Sequence, residues 1–175
     1  FVVEAVKAEV ESVVAMNPKE LVVKFNKAVS KESVAPSDFV VTATGTKTTL
    51  AVVDVQLSED GKTATLLLRN TVPAAGVDVK IEEGTILTSN FDKFSKFSAT
   101  AVKATEDKVA PKLLSAVAKD NTTVELTFDE PVDWTTNTGG ISVNADNQVN
   151  GINSTKAGNY TYSFTTVSPL KVGAN

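Results

Sequence analysis

Apolar and polar residues alternate along most of this chain. In residues 20–25, Leu21, Val23 and Phe25 fall on one face of an extended segment, because successive strand side chains point to opposite sides. Residues 63–69 place Ala64, Leu66 and Leu68 inward in the same way. Residues 50–57 place Ala51, Val53, Val55 and Leu57 on one face. Further strands are expected at residues 10–16, 39–44, 77–81 and 97–102. Turn signals separate them. Asn17-Pro18-Lys19 marks one turn, and Glu59-Asp60-Gly61-Lys62 marks a hairpin, where Gly61 tolerates the positive φ of a tight turn. Residues 30–38 read as a polar connection with a helical turn near Lys31. Phe91, Phe94 and Phe97 have helical spacing and are expected to pack their rings on the sheets from a loop or helical turn.

About seven short strands in roughly 95 residues, with a turn every 8–12 residues, predict an all-β fold of the immunoglobulin-like sandwich type. The pattern then recurs. Shifted by 103 positions, SVVAMNPKELVVKFNKAV lies over SAVAKDNTTVELTFDEPV, with Ser12/Ser115, Val14/Val117, Ala15/Ala118, Phe25/Phe128 and Val29/Val132 identical. FVVEAVKA at the start lies over FSATAVKA at 97–104, and Val72-Pro73 pairs with Ser168-Pro169. The expected organisation is residues 1–8 as the end of a preceding unit or a linker strand, 9–104 as a complete unit, 105–111 as a linker, and 112–175 as a second, C-terminally truncated unit.

Composition narrows the chemistry. The 175 residues include no Cys and no His. Disulfides, thiolate nucleophiles and a Ser-His-Asp triad are therefore excluded, and the sandwiches are expected to lack the inter-sheet disulfide. The formal net charge of −4, without a basic stripe, argues against nucleic-acid binding. No apolar run reaches the ~20 residues that cross a bilayer as a helix. Gly139-Gly140 lacks the Lys of a phosphate-binding loop. Nothing in the pattern suggests a cleft that would turn Asp129 and Asp133 into a hydrolytic pair. An enzyme is not expected.

Two segments, ESVVAMNPKELVVKFNKAV and LSAVAKDNTTVELTFDEPV, together resemble the tandem bacterial immunoglobulin-like domains of surface-layer (S-layer) proteins from Gram-positive bacilli. The DKVAP linker at 107–111 and the EDGKTATLLL run at 59–68 are similar to the joints and penultimate hairpins of such domains. The resemblance implies a secreted structural protein that self-associates into a lattice on the cell wall. Its partners would be neighbouring copies and adjacent domains of the same chain, with wall polymer held only by domains absent here. It also implies calcium at the domain joints. An adhesin stalk, a carbohydrate-binding module and a spacer of a large secreted hydrolase are the alternatives.

The second unit offers matching acids. Asp129, Glu130 and Asp133 stand where the first unit has Asn26, Lys27 and Ser30, so a net charge of +1 becomes −3. With Glu106, Asp107 and Asp120 they form a candidate calcium site, since Ca2+ takes six to eight oxygen ligands. A solvated acidic strand edge is the competing reading. Trp134 reads as packed beneath its own loop or as an exposed contact. Asn121, Asn153 and Asn159 begin glycosylation sequons that matter only in a host with that pathway.

Overall fold

A computed structural model describes residues 6–105, 109–132, 149–153, 160–166 and 168–170. The chain divides into two compact units, Phe1–Lys108 and Val109–Asn175.

The described residues of the first unit form seven strands: β1 (Val10–Asn17), β2 (Glu20–Phe25), β3 (Val40–Ala43), β4 (Val52–Leu57), β5 (Thr63–Leu68), β6 (Val77–Ile81) and β7 (Phe97–Val102). Two antiparallel sheets result, β1-β2-β5-β4 and β3-β6-β7. The alternation dictates how they pack. Leu21, Val23, Phe25, Ala64, Leu66 and Leu68 from one sheet share a core with Val41, Val77, Val79 and Ile81 from the other. Each large side chain fully buried there contributes roughly 1.5–3 kcal/mol. The chain is all-β, without disulfides.

Three local departures from strict alternation have physical causes. In β4 the register shifts between Val52 and Asp54. This bulge re-aims the strand, so Val52 packs on the core while Val53 is 41% exposed. The inward set is thus Val52, Val55 and Leu57 rather than the expected Ala51, Val53, Val55 and Leu57. Of the three phenylalanines expected to pack their rings from a loop or helical turn, the loop buries one fully. Phe94 is fully buried and meets Phe25 edge-on, with ring centroids 5.1 Å apart. Phe97 opens β7 half-buried, and Phe91 points into solvent at the tip of a tight turn. Finally, Ala8 is buried in this unit's core and accepts a 2.9 Å bond from the Ser95 N–H. Ala8 therefore packs into the unit it precedes, and the Lys7 carbonyl accepts the Asn26 amide at 2.7 Å.

The described part of the second unit is one antiparallel sheet, β10-β11-β9-β8, formed by β8 (Leu113–Ala118), β9 (Thr123–Phe128), β10 (Val149–Asn153) and β11 (Thr161–Thr166). Its hydrogen-bond plan matches that of the first. Val10 pairs with Phe25 and Ser12 with Lys24; 103 residues on, Leu113 pairs with Phe128 and Ser115 with Thr127, with the same register shift between. The Phe25 N–H bonds to Lys62 O and the Phe128 N–H to Tyr160 O. The Val72 N–H bonds to Pro18 O and the Leu170 N–H to Asn121 O. The position of Val72 is thus taken by Leu170, two residues beyond the expected Ser168. Tyr162 anchors this sheet: its hydroxyl accepts the Val132 N–H at 2.7 Å, and its ring meets Phe128 edge-on.

Candidate functional site

Of the six candidate calcium ligands, Asp120, Asp129 and Glu130 are among the described residues, while Glu106, Asp107 and Asp133 lie outside them. Asp120 sits in the β8–β9 turn. Its Oδ1 accepts the N–H groups of Thr122 at 2.8 Å and Thr123 at 2.7 Å. These donors favour the charged form, and the Thr122 backbone N–H leads in holding the carboxyl below its ordinary range. Asp129 follows the far end of β9, where its Oδ1 accepts the Lys112 N–H at 2.7 Å.

The first unit performs both tasks with neutral amides. Asn17 accepts the Lys19 N–H at 2.9 Å, and Asn26 accepts the Glu9 N–H at 2.8 Å. One carbonyl-type oxygen meets each requirement, so the structural job needs no charge. The structure also separates the acids. Asp120 and Asp129 flank opposite ends of β9, about 17 Å of strand at ~3.4 Å per residue. Ligands of one Ca2+ lie within ~2.6 Å of the ion, so Asp120 and Asp129 cannot share it. Among the described residues no three acids converge as a metal site. Asp129 and Glu130 are adjacent, and a common ion for them would draw on Glu106, Asp107 and Asp133. Trp134 and Asn159 also lie outside the described residues.

A second carboxylate, not singled out by the sequence reading, organises the first unit. Asp78 lies on β6, between β3 and β7. Its Oδ1 accepts the Thr44 hydroxyl at 2.7 Å and the Ala101 N–H at 3.1 Å, while the Lys47 ammonium holds Oδ2. Ala101 has φ +53 and lies in the register shift of β7. One side chain therefore ties the 44–47 turn to an irregular last strand. Lys47 first, then Thr44 and the Ala101 N–H, lower the Asp78 pKa to about 2. A depressed carboxyl stabilises the fold above its unfolded pKa of about 3.9 and loses that contribution as pH falls through the folded value. The first unit is expected to lose stability between about pH 4 and pH 2. Asp78→Asn should be less stable at pH 7 and show a flatter profile in that window. Thermal melts across the window check this, and parallel profiles would contradict it.

No family model and no curated protein matches the chain. Solved structures do match. The crystal structure of S-layer protein SbsC, residues 31–844, aligns over 71% of this chain at 25% identity with a TM-score of 0.52. Domains 1–6 of SbsC align over 72% at 26% identity with a TM-score of 0.52. The chain is similar in structure to the S-layer protein SbsC. SbsC comes from a Gram-positive Geobacillus. Its N-terminal part shares the fold over 94% of this chain, at 19% identity and a TM-score of 0.52. The chain spans 18% of each of the first two structures and 43% of the third. These neighbours of the chain are structural S-layer proteins.

Proposed function

We propose that this chain is a structural building block of a self-assembling S-layer on a bacterial cell wall, secreted and displayed at the surface. The observation that carries this is the similarity to SbsC over 71–72% of the chain at 25–26% identity. The matched hydrogen bonds of the two units support the view that they are tandem repeats. Rigid sandwiches joined by short linkers fix angles between successive blocks. Many weak contacts, repeated between copies, then add up to a stable sheet. Among the described residues no helix is long and apolar enough to cross a membrane, and the proposed role needs none.

Calcium at the linker is part of this proposal, with Asp129 and Glu130 joined by Glu106, Asp107 and Asp133. Sedimentation velocity of the chain over a concentration series, with calcium and with a chelator, tests both parts. The expected result is self-association that strengthens in calcium. Association that is equal in both conditions would remove the ion from the account. A monomer at every concentration would contradict the assembly role.

A further inference from the structure

The first and last strands of the first unit run in the same direction and are bridged at both ends. Ala8, just before β1, forms a parallel bridge with Phe94, just before β7. Ala15, late in β1, forms a second parallel bridge with Ala104, just after β7. About 24 Å of strand separates the two bridges along β1. β1 belongs to one sheet and β7 to the other, so both bridges tie sheet to sheet. The directions decide how a pull is felt. The chain enters beside Phe94 and leaves beside Ala15, at opposite ends of the pair. Tension between residues 8 and 104 therefore drags the two strands past each other along their length. It shears the pair instead of peeling it.

Both load points are pinned by further bonds. At the entry, the Ser95 N–H donates to Ala8 O at 2.9 Å. The Asn26 side chain accepts the Glu9 N–H at 2.8 Å and donates to Lys7 O at 2.7 Å. Near the exit, the Asp78 carboxylate accepts the Ala101 N–H, and Thr44 and Lys47 hold that carboxylate. Gly76 lets the backbone of Ala101 and Val102 approach so closely that an added Cβ would lie 2.9 Å from it. Between the pins the side chains sit in the core. Ala8, Val10 and Ala15 are buried, and Phe97 and Val102 pack against the same cluster. Sliding the strands would break both bridges together and draw these apolar groups toward water. Peeling breaks bonds one after another, each at a small cost. The sequence marks both load points alike: AVKA at 101–104 ends on the exit bridge, and AVKA at 5–8 ends on the entry bridge.

We infer that the first unit is a tension-bearing module, and that β1 and β7 with their two flanking bridges form its shear clamp. Forced unfolding follows the unfolding barrier and not the equilibrium stability. The clamp sets that barrier, because the rest of the unit lies behind it and carries little load until it parts. A unit of this kind keeps its length when the chain on either side is pulled. The role rests on the topology of one unit and does not depend on the self-assembly reading.

Single-molecule pulling on the full chain tests this. The chain has no cysteine, so an introduced pair gives unique handles. Lys7→Cys with Lys103→Cys loads the clamp in shear. Lys7→Cys with Lys27→Cys pulls at the open end of the β1–β2 hairpin, where Val10 faces Phe25, and peels the same strand. The first pair should rupture at a force about twofold or more above the second, because shear meets the higher barrier to forced unfolding. Equal forces would overturn the clamp. Ser95→Pro removes the N–H that Ala8 accepts. It should lower the rupture force of the 7–103 pair and leave that of the 7–27 pair unchanged. A fall of the same proportion in both pairs would show a general loss of stability and overturn the clamp. A lower melting temperature with an unchanged 7–103 force would also overturn it. Should Ser95→Pro fail to fold, the two handle pairs in the otherwise unaltered chain decide the question.

Discussion

Phe94→Ala is expected to destabilise the first unit by about 3–5 kcal/mol, the usual range for emptying a fully buried phenylalanine site. The cost has two parts. The ring loses its transfer free energy, and a cavity opens beside Phe25, whose edge-on partner disappears. The site has little capacity to collapse. The Phe94 N–H bonds to Ile86 O at 3.2 Å and its carbonyl accepts the Gly84 N–H at 3.0 Å, while a bridge joins it to Ala8. The backbone is thus tied on both sides. At about 4–8 °C per kcal/mol for a domain of this size, the melting temperature should fall by more than about 12 °C. Calorimetry of the whole chain would show the first unit's transition moving. A change of less than about 1 kcal/mol would mean that Phe94 does not close this core.

Gly76→Ala is the second large effect expected. Gly76 precedes β6 at φ +91, and a Cβ there would lie 2.9 Å from both Ala101 C and Val102 O. Those are backbone atoms of β7, so no rotamer change relieves the clash. The strand would have to withdraw, breaking the approach that lets Asp78 accept the Ala101 N–H. The left-handed conformation adds its own penalty for alanine, and the total should reach about 2–4 kcal/mol. Gly45→Ala supplies the comparison. Its φ is +89, but no atom lies within 4 Å of the added Cβ. It should cost only about 1–2 kcal/mol of conformational energy. Urea denaturation separates the two. Equal costs would show that the backbone angle alone matters and that β7 yields freely.

Much of this fold is legible in the sequence because a strand's period of two maps directly onto burial. Leu21, Val23 and Phe25 show this, as do Ala64, Leu66 and Leu68. The 103-residue shift is equally legible, because the same bulged hairpin needs the same apolar positions and the same Asn or Asp oxygen in its turn. What escapes is whatever a single residue changes. The β4 bulge exchanges Val53 for Val52 without leaving a mark in the alternation. Helical spacing of three phenylalanines cannot reveal that a buried Thr88 closes a turn and sends Phe91 outward. Glu20 reads as a surface carboxylate, yet it is 2% exposed and accepts the Asn17 amide at 3.0 Å. Asp78 is one acid among many until β3 and β7 close on it. The acids of the second unit show the same limit in reverse. They are near in sequence, but an intervening strand holds Asp120 far from Asp129.

We propose that these units build a sheet on a cell surface. Electron microscopy of this protein at high concentration, in calcium and in a chelator, is the decisive measurement. The expected result is a periodic two-dimensional lattice, best ordered in calcium. Isolated flexible rods in both conditions would contradict it and point instead to a stalk or a spacer.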